Sequence, residues 1–251
     1  GDDASTPSSF SVWRVEGSPY NWETKFADNK WYTYTNGLAG GVAPEMIAYM
    51  GLYDAGFEQT RSLAKSIRDN SGANGCSLCY TPLHTAWIAP IYSHAKVEAP
   101  FDYKADISGL DAGIDIAANG VNKLGIMASY RKGNYDFSGK GNKFHSDTGS
   151  EIDIESYLTG LYFRHDHNRF TFMTAVYGGI QKADIKSDDG VRADSNALEL
   201  GAMVDMAYTC KLGNGISLIP EAQISYTMLD YGKIKDNAGK DYNLKTAHRI
   251  E

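Results

Sequence analysis

The chain has 251 residues, enough to bury a substantial core without a disulfide scaffold. Its 24 Lys and Arg against 31 Asp and Glu give a formal charge of −7, which leaves no basic surface for a nucleic-acid partner. The 26 Gly with 17 Tyr, 9 Phe and 4 Trp favour sheet, and no apolar stretch reaches the roughly 20 residues of a helical membrane span, so only strands could cross a bilayer.

The chain opens at Gly1 with no initiator Met and no secretory signal, and so reads as an excerpt of a longer protein. Residues 1–37 are polar, with aromatic clusters around Trp13, Trp22 and Trp31 that suggest short strands between turns. From Pro44 to Asp69 the texture is helical, with Pro44 suited to the first turn and Ser71-Gly72 to the stop; one helix of about 25 residues is expected. Gly51 and Gly56 weaken it in water by up to about 1 kcal/mol each, which suits a helix enclosed by other structure. The stretch from Ser71 to Thr85 reads as a linker carrying Cys76 and Cys79.

From Trp87 the period becomes two, in seven successive segments. Trp87, Ala89 and Ile91 share a face in the first. Leu110, Ala112, Ile114 and Ile116 oppose Gly109, Asp111, Gly113 and Asp115 in the second, and Leu124, Ile126, Ala128 and Tyr130 oppose Gly125, Ser129 and Arg131 in the third. The fourth sets Ile152, Ile154, Leu158 and Tyr162 against Asp153, Glu155, Tyr157 and Thr159. The fifth sets Phe170, Phe172 and Val176 against Thr171, Ala175, Tyr177 and Gly179. Leu198, Leu200, Val204 and Met206 then oppose Glu199, Gly201 and Asp205, and Leu218, Ala222, Ile224, Tyr226 and Met228 oppose Glu221, Gln223, Ser225 and Thr227.

Most of these segments run about ten residues, where ordinary strands average five or six. That length suits a tilted strand crossing an outer membrane, where only a closed barrel satisfies the backbone. The expected fold class is therefore an all-β antiparallel meander of an outer-membrane barrel, seven strands plus the start of an eighth at Ala247, preceded by one pore helix. The lumen is expected to receive Gly109, Asp111, Gly113, Asp115, Gly125, Arg131, Asp153, Glu155, Glu199, Asp205, Glu221 and Gln223, because carboxylates are costly in a dry interior. The lipid is expected to receive Leu110, Ile114, Leu124, Ile126, Ile154, Leu158, Phe172, Leu200, Val204, Ile224 and Tyr226, with Tyr130, Tyr162, Tyr208 and Tyr226 as an aromatic girdle. Links alternate: short at 118–122, 164–168 and 210–215, longer at 132–150, 182–196 and 232–245. The longer ones, containing Asn142, Asp188 and Asn237, are expected outside the cell, and those at Asn119 and Asn214 in the periplasm. A soluble two-sheet protein with its charged faces turned to water is the alternative.

Several stretches resemble the translocator (β-barrel) domain of monomeric autotransporters, the type V secretion proteins of Gram-negative bacteria. They are Trp87 to Tyr92, GLDAGIDI at 109–116, LGIMASY at 124–130, YLTGLY at 157–162, NALELGAMVDMAY at 196–208 and LIPEAQISYTMLDYG at 218–232. The last carries the family's Pro-x-Ala-Gln-x-x-Tyr pattern through Pro220, Ala222, Gln223 and Tyr226. The resemblance implies the end of a pertactin-like passenger at 1–37, a pore helix and linker at 38–85, and a partial translocator barrel at 86–251, C-terminally truncated against a family barrel of twelve strands. It further implies a non-enzymatic domain that anchors and exports its own N-terminal passenger. The implied partners are outer-membrane lipid, the barrel assembly machinery and periplasmic chaperones, with no nucleic acid and no cofactor. Self-cleavage at paired asparagines does not carry over, since the helix holds no Asn-Asn.

No serine elbow, phosphate loop or HExxH is present. Cys76-Ser-Leu-Cys79 admits a disulfide, unpaired thiols, or half of a metal site for which His84 is the one suitable neighbour. His165 and His167 read as a surface turn. A porin-like barrel would share the strand pattern but gives no reason for the long preceding helix; a soluble β-rich binding domain would be released from cells by a salt or carbonate wash.

Overall fold

Backbone groups in a strand must be paired, and the register of pairing fixes which side chains share a face. The computed structural model describes residues 11–14, 21–27, 30–34, 44–71, 80–81, 84–97, 103–119, 121–137, 149–188, 190–213, 216–237, 239 and 241–251. Strands β1 (Ser11–Arg14), β2 (Asn21–Ala27) and β3 (Lys30–Tyr34) form an antiparallel sheet of their own. Helices α1 (Pro44–Glu58) and α2 (Leu63–Asn70) follow. After the two-residue β4 (Tyr80–Thr81) the chain meanders through β5 (His84–Val97), β6 (Tyr103–Ala118), β7 (Asn122–Phe137), β8 (Ser150–His167), β9 (Phe170–Ser187) and β10 (Arg192–Tyr208). A small hairpin, β11 (Cys210–Gly213) with β12 (Ile216–Leu218), precedes β13 (Glu221–Asp230), β14 (Lys233–Asp236), β15 (Asp241–Asn243) and β16 (Ala247–Ile250).

In the main sheet each strand from β4 to β10 pairs with its chain neighbours, and β13 and β14 lie in succession along β10. They are parted at Tyr231 and Gly232, where Gly232 takes φ 61. Strands β15 and β16 return along them, so the eighth strand begins at Asp241, earlier than the Ala247 expected. The two helices lie on one face of this sheet: α1 touches β7, β8, β9 and β13, while α2 touches β5, β6 and β10. Because α2 reaches both β5 and β10, the sheet curls around the helices.

Strands β5 to β10 run 14 to 18 residues, well beyond the ten expected. Much of what the sequence suggested as long links is paired strand: 132–137, 182–187 and 192–196 continue β7, β9 and β10, and 232–245 contains β14 and β15. The strand ends at Ala118, Asn122, His167, Phe170 and Tyr208 define a near rim; those at Val97, Tyr103, Phe137, Ser150, Ser187 and Arg192 define a far rim.

Away from the helices, the outer face carries an apolar belt: Leu110 to Ile116, Leu124 to Tyr130, Tyr157 to Phe163, Phe170 to Ile180, Leu198 to Tyr208 and Ala222 to Met228, at alternate positions. Seven residues of strand span about 20 to 25 Å. Tyr130 and Tyr157 pair ring to ring at 5.1 Å on its far-rim edge. Beyond that edge the outer face becomes charged, with His94–Asp106 at 2.7 Å, Lys132–Glu155 at 3.9 Å and Lys186–Asp153 at 3.2 Å.

This boundary corrects the fourth segment. Ile154 and Leu158, expected toward lipid, are buried on the helix-bearing face, and Asp153 and Glu155, expected in the lumen, lie on the outer face. Within the belt the outer parity is apolar, and the inner parity carries large apolar side chains as well, Leu158 and Tyr162 among them, packed around α2. Beyond it the outer face meets water while the inner face packs on α1, so the apolar parity reverses along a single strand. Tyr162, expected in the girdle, is likewise buried inside beside Trp87.

Three glycines on the helix-bearing face sit directly opposite aromatic residues: Gly113 opposite Trp87, Gly125 opposite Tyr162 and Gly201 opposite Tyr177. Each ring occupies the space a Cβ would need. Gly125→Ala should therefore cost about 1 to 3 kcal/mol through overpacking, and much less in a Tyr162→Ala background. Urea unfolding of the refolded protein followed by tryptophan fluorescence checks this; equal losses in both backgrounds would show that the ring is not the obstacle.

Candidate functional site: the helix-bearing face

The helices divide the inner face into two apolar clusters. Around α1, Ala48, Tyr49, Leu52 and Phe57 meet Tyr103, Tyr135, Ile152, Ile154, Ile185 and Leu229. Around α2, Leu63, Ala64 and Ile67 meet Trp87, Met127, Leu158, Tyr162, Met173 and Met203. The inner face is thus covered, among the described residues, by packed side chains.

Between the clusters the helix breaks. A continuous helix through Asp69 was expected, but residues 59–62 form turns with Thr60 N–H donating to Phe57 O at 3.3 Å and Leu63 N–H to Thr60 O at 2.9 Å. A break leaves carbonyls that must find donors inside the protein. Arg131 on β7 supplies one: its Nη1 donates to Gln59 O and, at 3.0 Å, to Ser62 Oγ. The rest of its guanidinium faces Asp111, with Nη2 to Oδ2 at 2.7 Å and Nε to Oδ1 at 3.3 Å, and Ser129 Oγ donates to the same Oδ1 at 2.6 Å. Arg131 and Asp111 are both almost wholly buried, so neither charge has water to fall back on.

A second cross-wall set holds the end of α1. Gln181 Nε2 donates to Gly56 O at 3.0 Å and to Glu199 Oε2 at 2.7 Å, while Tyr231 OH donates to Gln181 Oε1 at 2.7 Å. A side chain at position 56 would collide with Tyr231 and Gln181, which is why the helix can lie this close only with glycine there. Gln59 Nε2 donates to Ile154 O at 3.1 Å, tying the break to β8.

The near-rim end is held by cations. Arg68 on α2 places Nη1 3.1 Å from Asp205 Oδ2 and 2.9 Å from Glu221 Oε2. The C-terminus of α2 exposes carbonyls that attract positive charge; Arg164 Nη1 donates to Arg68 O and Lys123 Nζ to Ser71 O at 3.2 Å. Alongside, Tyr162 OH donates to Asp115 Oδ1 at 2.6 Å and accepts from Trp87 Nε1 at 3.2 Å.

Of the residues expected in the lumen, Asp111, Asp115, Gly125, Arg131, Glu199 and Asp205 are buried on the helix-bearing face. Gly109 and Gly113 share that face, and so do Glu221 and Gln223, which pair with Ala207 and Asp205. On the outer face lie Leu110, Ile114, Leu124, Ile126, Phe172, Leu200, Val204, Ile224 and Tyr226. Arg68, Gln59 and Gln181 were missed. The expected helix carries three basic residues, Arg61, Lys65 and Arg68, against an acidic wall, and that mismatch of sign was the available signal. Cys76 and Cys79 lie outside the described residues, while Cys210 is a free thiol. Among the described residues no group of three or more His, Cys, Asp or Glu side chains is placed to hold a metal.

Removing one partner of a buried ion pair strands the other. Arg131→Met should lose about 3 to 5 kcal/mol. The double variant Arg131→Met with Asp111→Leu should lose only about 1 to 3 kcal/mol, the cost of an unpaired Gln59 carbonyl. Denaturant melts of the three refolded proteins check the order; a double variant worse than the single one would refute mutual dependence.

The autotransporter β-domain family model matches residues 86–249. A solved structure, the translocator domain of the autotransporter NalP from Neisseria meningitidis, superposes with a TM-score of 0.60 at 12% identity, over 79% of this chain and 67% of that one. No curated protein matches the chain. No helix among the described residues is long and apolar enough to cross a membrane, which leaves any crossing to the strands. With the family match spanning most of the meander and the fold shared with a translocator, the chain belongs to the autotransporter β-domain family, the outer-membrane translocator domains of protein transport.

Proposed function

We propose that residues 86–251 form part of the barrel wall through which an N-terminal passenger reaches the cell surface, that residues 38–85 are the pore helix and linker, and that residues 1–37 end the passenger. The observation that carries this reading is the helix held inside the curl of the sheet by Arg131, which donates to Gln59 O, and by the ion pair Arg68–Asp205. A helix fixed there connects the far rim, where the text before Pro44 would emerge, with the near rim, where β5 begins. The lumen-facing set is Gly109, Asp111, Gly113, Asp115, Gly125, Arg131, Glu199, Asp205, Glu221 and Gln223, and the outer belt is the lipid contact.

Direction follows from the overhang more than from link length. Beyond the belt, strands β6 to β10 carry charged outer-face residues only toward the far rim, which suits a portion standing in water above the bilayer. The far rim is then outside and the near rim periplasmic. The domain works without catalysis: it supplies a lined passage and then fills it, and the sequence contains no nucleotide-binding motif. Insertion would draw on periplasmic chaperones and the barrel assembly machinery of a Gram-negative cell, as for other members of the family.

Epitope tags inserted at Gly190 and at Asn119 of the complete protein should separate the two rims. The first should be detected on intact cells and the second only after the outer membrane is permeabilised. The opposite pattern would invert the barrel, and equal access in non-leaky cells would remove it from the membrane. For the helix, cysteines in place of Asp54 on α1 and Arg249 on β16, whose side chains meet at 3.5 Å, should be joined by a short thiol-specific crosslinker in membranes; failure to crosslink, with both thiols readily labelled by a bulky external reagent, would place α1 outside the barrel.

A further inference from the structure

The hairpin of β11 and β12 is not needed to connect β10 with β13. Tyr208 N–H already donates to Pro220 O at 3.0 Å, so the two long strands meet below it, and the hairpin extends past the near rim as an appendage. Its register puts Cys210 opposite Leu218 and Lys211 opposite Ser217, with Gly213 opposite Ile216. Cys210, Ile216 and Leu218 therefore share one side and Lys211 and Ser217 the other, while Leu212 takes up the register shift between Lys211 and Gly213. The large aliphatic residues here are bare: Ile216 is 62% exposed and Leu218 58% on the apolar side, Leu212 at the shift is 67% exposed, and the adjoining Ile219 is 49% exposed. Four large aliphatic residues within the eight positions from Leu212 to Ile219 are more than scattered surface apolarity accounts for.

Two further observations point to what covers them. The parity of the apolar side continues the outer belt of β10, through Val204, Met206 and Tyr208, and that of β13, through Ala222 and Ile224. The belt on this strand pair is thereby several residues longer than on β6 and β7, where it stops at Ile116 and Leu124. At the hairpin's base, Thr209 N–H donates to Arg169 O at 2.8 Å, which brings the exposed Arg169 and Lys211 to the same margin. An apolar surface running on from a lipid-facing belt and flanked by exposed cations matches a bilayer interface, with hydrocarbon below and phosphate headgroups above.

We propose that the β11–β12 hairpin is a membrane foot: it folds onto the near leaflet and sinks Leu212, Ile216 and Leu218 into the headgroup–acyl boundary, while Lys211 and Arg169 meet anionic headgroups. The occupant of the apolar side is phospholipid. This rests on the reading of the outer belt as the lipid contact, and the test separates the two.

The complete protein, with its native cysteines at 76, 79 and 210 changed to serine, is reconstituted in vesicles of phosphatidylethanolamine and phosphatidylglycerol. Single nitroxide labels are placed through Leu212→Cys, Leu218→Cys, Lys211→Cys, Ser217→Cys and, within the belt, Val204→Cys. Collision rates with oxygen, which concentrates in lipid, and with a water-soluble nickel chelate report depth. Labels at 212 and 218 should favour oxygen over nickel by roughly threefold or more relative to those at 211 and 217, as for groups about 5 to 10 Å into the interface. Replacing phosphatidylglycerol by phosphatidylcholine should shrink that contrast. Nickel access at 212 equal to that at 211, with Val204 still lipid-like, overturns the foot alone. Protection of 212 from both reagents means a protein covers it and also overturns the foot, whereas nickel access at Val204 overturns the membrane reading beneath it.

Discussion

A strand in hydrocarbon has no water for its amides, so every N–H and C=O must be spent on a neighbouring strand. The continuous register from β5 to β10, broken by one irregularity between Asp115 and Ala117, meets that demand. Once register is fixed, so is the division of side chains: one parity must satisfy lipid and the other must satisfy whatever fills the curl. The helices, the buried charges and the ring-over-glycine contacts are all consequences of having an inside that is neither solvent nor bilayer.

That inside is filled by two different means. Apolar contact supplies the bulk of the attraction for α1 and α2, but apolar contact has no direction and would tolerate a helix that slides or rotates. The polar set at residues 59–62 removes that freedom. Arg131 reaches from the wall to a helix carbonyl, and Arg68 reaches from the helix to wall carboxylates. Desolvating these charges cancels much of their attraction, so their contribution to stability is modest while their demand for one position is severe. The break in the helix belongs to the same device, since an intact turn would have consumed the Gln59 carbonyl internally.

The strand pattern, the antiparallel meander and most facing residues were legible because period two survives wherever a strand separates two unlike media. Asp111 and Asp115 could be placed by parity alone, flanked by Leu110, Ile114 and Ile116. The fourth segment was not legible in the same way. Ile152 and Ile154 look identical to lipid-facing residues, and only their position beyond the Tyr130–Tyr157 edge shows that they pack on α1 instead. Strand ends escaped for a related reason: 182–187 and 192–196 are polar on their outer face, and polarity in sequence imitates a link. Partners such as Gln181 with Gly56 join residues 125 positions apart, a distance over which one sequence carries no pairing signal.

The three ring-over-glycine contacts fall within β5–β6, β7–β8 and β9–β10, each a pair of consecutive strands joined at the far rim. None bridges one such pair to the next. The rings themselves do reach across: Trp87 Nε1 donates to Tyr162 OH, Tyr162 OH donates to Asp115 on β6, and Tyr177 OH meets Thr227 on β13. The same rings thus clasp a strand pair within itself and bind it to the next, so that a misfit at one glycine would be felt in two seams of the wall.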